Sequence, residues 1–160
     1  MLSDLGREME MVAAYLDIER ARFEWRLRTE IDVPPSLSGL RVPPLVLQPI
    51  VENAVKHGVS QRRQGGEVRI TARVERTAAQ TPQLVLLVSD TGAGVAPDDL
   101  RRRRLLGVGL ANVERRLTCH YGGAASLSIR SEQNVGTMVE IRLPVRRHVP
   151  AEAALQGSAR

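Results

Sequence analysis

The stretch LVLLVSDTGAGV, residues 84–95, decides the fold because it joins an apolar run to a glycine-rich turn. A short apolar run bounded by turn residues is typical of a buried central strand. Asp90 stands where this strand ends, and Gly92 and Gly94 follow it as a G-x-G pair. Glycine has no Cβ, so the backbone can turn sharply there. Taken alone, the same residues also fit an Asx turn that ends a strand.

The composition indicates one globular domain. The chain has 160 residues, of which 42% are hydrophobic, and this suits a single core. No apolar run approaches the roughly 18 residues needed to span a bilayer, and no secretory signal opens the chain. The single cysteine, Cys119, excludes an internal disulfide. We expect a cytoplasmic location and no direct membrane insertion by this chain, although a longer protein could be anchored through a preceding region.

The charge balance is basic, with 23 Lys and Arg against 18 Asp and Glu. Such a balance can indicate binding to nucleic acid. However, the arginines are scattered, and only 2% of the residues are aromatic, so platforms for base stacking are nearly absent. We therefore expect no nucleic-acid partner. Lys56 is the only lysine among the basic residues, which makes it a candidate functional cation.

A long N-terminal helix is predicted over residues 3–29, with Ser3 as its N-cap. It carries two apolar stripes, one through Leu5, Met9, Val12, Leu16, Phe23 and Leu27 and the other through Met11, Tyr15, Ile18 and Trp25. A helix with two apolar faces packs against two partners. We interpret this helix as a connector to an upstream partner, and burial within its own domain is the alternative.

The remaining pattern alternates strands and helices. Strands are predicted over 26–33, 67–75, 84–90, 126–131 and 137–144, and helices over 43–58 and 109–121. Pro43 and Pro44 mark the start of the first of these helices, Pro49 is expected to kink or restart it, and Gly58 to cap it. The order predicts an α/β two-layer sandwich, with a mixed, mostly antiparallel sheet of about five strands and helices on one face.

The expected domain organisation has three parts. Residues 1–29 form the connector helix, residues 30–145 form the folded domain, and residues 146–160 form a flexible tail because they lack periodicity.

Three short motifs stand out: ENAVKHG at 52–58, DTGAG at 90–94 and GVGLAN at 107–112. A phosphate-binding loop of the G-x-x-x-x-G-K-[ST] type is excluded, because NAV precedes the only lysine. A dinucleotide fingerprint is also excluded, because neither glycine motif has the required third glycine and distant acid. Each motif is a weak signal when taken alone.

Together, and in this order, the motifs resemble those of the superfamily of gyrase, Hsp90, histidine kinase and MutL. The stretches LGREMEMVAAYLDIERARF, VPPLVLQPIVENAVKHG and GVGLANVERRLTCHYGG are similar to the ATP-binding half of LytS-type sensor histidine kinases. The resemblance covers about residues 3–144. It implies a Bergerat-type fold, ATP and Mg²⁺ as cofactors, and a role in two-component signal transduction.

The resemblance implies that Asp90 is the adenine anchor. A carboxylate can accept a hydrogen bond from the N6 amine of adenine, whereas guanine presents a carbonyl there. Gly92 and Gly94 would shape the pocket floor. Thr137, which follows Gly136 and begins the last strand, would lie near the base, and a plain turn into a strand is the alternative.

For the phosphate end, the resemblance makes the side-chain oxygen of Asn53 the protein ligand of Mg²⁺. Lys56, three residues on, would offer a charge to phosphate, or would be only a solvated lysine. His57 would either approach the nucleotide or simply occupy a helix end. The backbone amides at the start of the next helix would cradle the phosphates, and they belong to Val108, Gly109 and Leu110.

Two features near the site depart from other histidine kinases. Pro49 occupies the position where some relatives carry a glutamate, so Glu52 is the nearest candidate general base, although it points about 100° away from Asn53 on an ideal helix. The predicted lid, residues 95–106, has no phenylalanine. Its RRRR run at 101–104 could reach the γ-phosphate or be a solvated charge run.

The histidines His57, His120 and His148 do not lie in an acceptor motif. We therefore expect the chain to position Mg·ATP for phosphoryl transfer to a histidine on a separate upstream phosphoacceptor and dimerisation domain, as part of a protein-histidine kinase. The chain alone would not autophosphorylate. A response regulator and a homodimer of the full-length protein are the expected partners. A non-catalytic ATP-binding module is the alternative, and a serine kinase of the anti-sigma type is disfavoured by the N-terminal helix.

Overall fold

A computed structural model describes residues 1–76, 78, 81–99 and 108–147. The helices are α1 (Leu5–Phe23), α2 (Gln48–Asn53) and α3 (Val108–Tyr121). The strands are β1 (Ser3–Asp4), β2 (Leu27–Asp32), β3 (Arg41–Val42), β4 (Gly66–Glu75), β5 (Gln83–Asp90), β6 (Ser126–Glu132) and β7 (Gly136–Pro144). No helix in these ranges is long and apolar enough to cross a membrane.

Five strands form one mixed sheet in the order β2-β4-β5-β7-β6. The pair β2 and β4 is parallel, and the other three pairs are antiparallel. β5 is the central strand, and its last residue, Asp90, pairs with Val68 on one side and with Thr137 on the other. The predicted mixed and mostly antiparallel sheet is confirmed.

The burial pattern explains why the sheet has one covered face. Along β4, Val68, Ile70 and Ala72 are buried, whereas Arg69 and Arg73, on the opposite face, are exposed. Alternation of this kind places every second side chain against the core. A single hydrophobic cluster joins these residues to buried side chains of all three helices. The two-layer sandwich is therefore built by aliphatic packing between the helices and one sheet face.

The N-terminal helix is shorter than expected. α1 runs from Leu5 to Phe23, and Ser3 lies in β1, so Asp4 occupies the cap position. Glu24 ends the helix with a φ of 54°, a left-handed conformation that a continuing helix does not allow. The predicted end at residue 29 is wrong because residues 27–29 belong to β2. The domain boundary predicted between residues 29 and 30 falls inside that strand.

The helix predicted over 43–58 is also placed differently. It begins at Gln48, and Pro49 lies in its first turn, where the absent N–H needs no partner. The chain does not end its helical path at Gly58. A π-helical turn at Ala54–Gly58 is followed by a 3-10 turn at Val59–Gln61. Gly58 is therefore not a C-cap, and the helical path carries the chain on to residue 61.

The backbone on both sides of the predicted C-terminal boundary, between residues 145 and 146, is bonded to the domain. Arg41 donates its backbone N–H to the carbonyl of Arg146 at 2.7 Å, and Leu40 forms an antiparallel bridge with Arg147. The first two residues of the predicted tail are therefore tied to the domain. Residues 148–160 lie outside the described part of the chain, as does the predicted RRRR run of the lid.

The two predicted stripes of α1 have different environments. Leu5, Val12 and Leu16 are buried in the core cluster. On another side, Met11 is 41% exposed and Ile18 is 67% exposed, and Trp25, just after α1, is 68% exposed. α1 thus packs against its own domain and also presents an apolar stripe to solvent.

We expect Leu16→Ala to lower the free energy of unfolding by about 2–5 kcal/mol, because Leu16 is buried and a cavity would remain. Ile18→Ala on the same helix should change it by less than about 0.5 kcal/mol, because Ile18 is exposed. Urea denaturation of both variants measures the difference. Equal effects would contradict the packing of α1 described above.

Candidate functional site

The buried carboxylate of Asp90 lies at the end of the central strand, where it is only 9% exposed. Its Oδ1 accepts the backbone N–H of Gly92 at 2.9 Å, so the Asx-turn bond of the simpler interpretation is present. Burial raises the pKa of this carboxyl to about 6, against the lowering effects of the Gly92 and Thr137 amides and the charge of Arg62. An acid this deeply buried is more than a turn requires.

Glycines from three segments pack closely around Asp90. A Cβ at Gly58 would lie 2.6 Å from Oδ1 of Asp90, and one at Gly92 would lie 2.2 Å from the carbonyl carbon of Gly58. A Cβ at Gly136, whose φ is 147°, would lie 2.0 Å from the Asp90 carbonyl oxygen. The backbone therefore packs directly against the acid. Sequence reasoning missed this role of Gly58 because a glycine near a helix end also fits a cap.

Gly94 lies on the β6 side of the turn. Its φ is 60°, and a Cβ there would lie 1.9 Å from the carbonyl oxygen of Glu132, at the end of β6. Gly94 thus allows the loop after Asp90 to approach the β6–β7 hairpin. Asn134 in that hairpin donates its N–H to the carbonyl of Ala93 at 2.6 Å.

Thr137 is next to Asp90 in the sheet register. Its hydroxyl is 2.7 Å from Oγ of Ser131, which also accepts the N–H of Val95 at 2.9 Å. The start of β7, the end of β6 and the loop after Gly94 are joined by these bonds. The structure therefore brings Asp90, Gly92, Gly94 and Thr137 together at one end of the sheet.

The second group of predicted residues lies on α2 and the π turn that follows it. Asn53 is half-buried, and Lys56 and His57 are exposed. A Cβ at Gly109 would lie 3.9 Å from Nδ2 of Asn53, so the start of α3 is beside the Asn53 side chain. The structure thus brings the predicted metal ligand next to the predicted phosphate cradle, which comprises Val108, Gly109 and Leu110.

Glu52 lies on a different side of α2. Its Oε1 accepts the Nε2–H of Gln48 at 3.2 Å. Burial, together with the charges of Glu19 and Glu52, raises the pKa of Tyr15 to about 12. Glu52 is therefore close enough to α1 to act on Tyr15, and its role as a general base stays a prediction.

The residues at the Asn53 end fit a cation that takes most of its ligands from phosphate and water. No group of three or more His, Cys, Asp or Glu side chains that could hold a metal occurs in the part of the chain that the structure describes. Mg²⁺ in nucleotide sites needs only one or two protein oxygens beside the phosphates. Asn53, half-buried beside a helix start, meets that requirement.

The chain belongs to a known family of ATPases. Residues 43–147 match the family described as histidine kinase-, DNA gyrase B-, and HSP90-like ATPase. This match covers well over half of the chain, and the fold of this family implies ATP binding.

Two relatives narrow the type within that family. Sensor histidine kinase BtsS of Escherichia coli (strain K12) is 39% identical over 142 residues, which are 89% of this chain and 24% of BtsS. Sensor protein LytS of Bacillus subtilis (strain 168) is 29% identical over 165 residues, covering 98% of this chain and 27% of LytS. The resemblance to LytS-type sensor histidine kinases is confirmed. The chain spans about a quarter of the length of these relatives.

Solved structures agree on the fold. The histidine kinase domain from the Erythrobacter litoralis EL346 blue-light activated histidine kinase has a TM-score of 0.64 at 21% identity, covering 98% of this chain and 66% of that chain. The mycobacterial sensor histidine kinase MprB has a TM-score of 0.61 at 22% identity, covering 92% of this chain and 99% of that chain. The fold is that of the ATP-binding domain of histidine kinases.

We expect Asp90→Asn to stabilise the nucleotide-free domain at neutral pH. Because the folded-state pKa of Asp90 is raised from 3.8 to about 6, its contribution to stability is present below pH 4 and is lost as the pH rises through 6. The amide does not ionise. The free energy of unfolding of Asp90→Asn, relative to that of the wild type, should therefore rise by up to roughly 2 kcal/mol between pH 4 and pH 8.

Urea denaturation of both proteins across this pH range measures that growth. Asp98→Asn, at an exposed carboxyl, is the matched control and should show none. An advantage of Asp90→Asn that is constant with pH would contradict the raised pKa.

Proposed function

We propose that this chain is the domain of a sensor histidine kinase that holds Mg·ATP for phosphoryl transfer to a histidine on a separate domain. The observation that carries this proposal is the Asp90 carboxylate, which is buried at the end of the central strand and enclosed by backbone. Among the described residues no basic side chain forms an ion pair with it. A buried charge without such a partner is costly, and the N6 amine of adenine is a donor that would offset that cost.

The proposed adenine contacts lie around this carboxylate. Asp90 would accept a hydrogen bond from N6, and Gly92 would let the turn after Asp90 pack on the backbone of Gly58 beside the ring. Gly94 and Thr137 form the β6–β7 side of the same pocket. This arrangement favours adenine over guanine, because guanine places a carbonyl oxygen where the carboxylate needs a donor.

The proposed phosphate contacts lie between α2 and α3. The N–H groups at the start of α3, which belong to Val108, Gly109 and Leu110, would face the phosphates, because the dipole at a helix start favours an anion. Asn53 would bind Mg²⁺, and the exposed Lys56 would meet a phosphate oxygen. Bound Mg²⁺ would supply neutralisation of the charge on the phosphates. His57 is close enough in sequence to join this group, and its contact stays a prediction.

The phosphoryl acceptor is proposed to lie on another domain of a longer protein. His57 belongs to the π turn and His120 to the last turn of α3, and the resemblance gives neither an acceptor role. BtsS and LytS are about four times as long as the region that matches this chain, and both are named as sensor proteins. These two facts support a sensor kinase with additional domains. We propose an upstream phosphoacceptor and dimerisation domain and a response regulator as partners, in a homodimer of the full-length protein.

The exposed apolar stripe, defined as Met11 and Ile18 on α1 and Trp25 just after it, supports the proposed contact with another protein surface. Met11 and Ile18 are seven residues apart on the helix, as in a helix that packs along a second helix. We expect the isolated chain to self-associate through this stripe. Light scattering should show a lower average mass for Ile18→Asp than for wild type, and Arg20→Ala, also exposed on α1, is the control. A strictly monomeric wild type at high concentration would contradict this.

Calorimetric titration with a non-hydrolysable ATP analogue and Mg²⁺ tests the ATP site. The wild type should bind the ATP analogue and ignore the GTP analogue, and Asp90→Ala should weaken binding at least about tenfold, because a charge-assisted hydrogen bond is lost. Gly58→Ala should also weaken binding, since its methyl group would occupy the place of the carboxylate.

Gly123→Ala is the matched control for Gly58→Ala, because a Cβ there meets no atom within 4 Å. It should bind the analogue as the wild type does. If Asp90→Ala bound the ATP analogue as tightly as the wild type, the assignment of Asp90 to adenine would be wrong. No binding by the wild type would favour a degenerate site.

The second candidate function is a non-catalytic ATP-binding module, in which nucleotide binding only rearranges the domain. It is distinguished by adding a separately produced acceptor domain and γ-labelled ATP. Labelled acceptor would establish the kinase, whereas binding without transfer would favour the module. Glu52→Gln in the same assay tests the predicted general base, and transfer at the wild-type rate would remove Glu52 from the mechanism.

A further inference from the structure

Arg62 follows the 3-10 turn after α2, and its side chain joins two segments beside Asp90. Its Nη1 donates to the carbonyl of Thr91 at 2.9 Å, and its Nη2 donates to the carbonyl of Asn134. Thr91 is the residue directly after Asp90, and Asn134 lies in the turn between β6 and β7. One guanidinium therefore fastens the end of the helical path to both loops around the carboxylate.

The backbone that carries Arg62 is held in turn by Arg26. The Nη2 of Arg26 donates to the carbonyl of Arg62 at 2.8 Å and to that of Ser60 at 3.4 Å. Arg26 directly precedes β2, so the sheet edge fixes the position of residues 60–62. Arg26 acts on the backbone of this segment, whereas Arg62 reaches the loops that follow Asp90.

Arg62 also supplies positive charge to the Asp90 site. The groups that pack on the carboxylate from the other segments are Gly58, Gly92 and the Thr137 amide, and none of them is charged. Burial raises the pKa of Asp90, and the Arg62 charge lowers it. The guanidinium thus favours the ionised carboxylate in a place where burial disfavours it.

We propose that Arg62 is a positioning residue of the adenine site, which holds the two loops around Asp90 and favours the ionised form of the Asp90 carboxylate. The inference rests on the proposed function, because it takes the N6 amine of adenine as the donor. An ionised carboxylate accepts a hydrogen bond about twice as strong as the one a neutral acceptor makes. Arg62 thereby extends the range of pH over which the site binds ATP.

The first test is an NMR titration of the Asp90 carboxyl carbon in the nucleotide-free protein. Arg62→Gln removes the charge and should raise the Asp90 pKa by about half a unit or more. Arg62→Lys keeps the charge and should leave the pKa close to that of the wild type. Arg26→Gln, which perturbs the same backbone segment without removing the Arg62 charge, is the control and should also leave it unchanged. An unchanged pKa in Arg62→Gln would overturn the proposal.

The second test is the affinity for the ATP analogue between pH 6 and pH 8. Arg62→Gln should bind about two- to fivefold more weakly than wild type at pH 6 from ionisation alone, and this pH-dependent part should vanish by pH 8. If Arg62→Gln lost the same fraction of its affinity for the analogue at every pH, Arg62 would only support the loops. That result would overturn its electrostatic role. If the wild type does not bind the analogue, the proposed function fails, and the carboxyl titration still decides on Arg62.

Discussion

The burial of one carboxylate at the end of the central strand is the constraint on which the rest of the structure depends. Asp90 is contacted by backbone from the helical segment after α2, from its own turn and from the start of β7. A side chain at Gly58 would occupy the space of the carboxylate, and side chains at Gly92 and Gly136 would clash with the backbone of Gly58 and of Asp90. The acid is thus surrounded by peptide groups, which supply two N–H donors and exclude water. Its raised pKa is a direct result of that exclusion.

This constraint explains the unusual path of the chain after α2. Had the helix ended in a cap at Gly58, the segment would have turned away from the sheet. Instead, the π turn and the following 3-10 turn keep the backbone of Gly58 against Asp90 and carry the chain on to Arg62. The hydroxyl of Ser60 and the amide of Gln61 donate to the carbonyl of Lys56. A π turn is often found at functional sites, and here it lies between Asn53 and the segment that packs against Asp90.

The parts of the fold that could be predicted are those in which local pattern and tertiary packing agree. The alternation of Val68, Ile70 and Ala72 fits a half-covered strand, and the apolar run before Asp90 fits a central one. The end of α1 could not be predicted, because Leu27 continues the spacing of the helical stripe and is buried in both interpretations. The break depends on the backbone of Glu24, which no side-chain pattern reveals.

In the candidate site, too, some residues could be identified from the sequence and others only from the fold. Asp90, Gly92 and Asn53 could be singled out in the sequence because their residue types suit a definite chemistry at a definite position in a motif, and their roles stay predictions. Arg62 could not, since arginine is the ordinary cation of this chain and 22 residues of that type are scattered through it. Only the fold shows that this one bonds the loops on both sides of the acid. Contacts between segments distant in sequence leave no local trace in the residue pattern.

The energetics of the nucleotide-free domain follow from the same acid. A pKa raised from 3.8 to about 6 corresponds to roughly 3 kcal/mol by which folding disfavours the ionised carboxylate. This is a large share of the stability of a small domain, and it is tolerated because aliphatic side chains of all three helices pack on one sheet face. A ligand that donates to the carboxylate would recover part of that loss on binding. ATP is therefore expected to stabilise the folded domain beyond what its phosphate contacts alone contribute, because the proposed hydrogen bond from adenine N6 would offset part of the cost of burying Asp90.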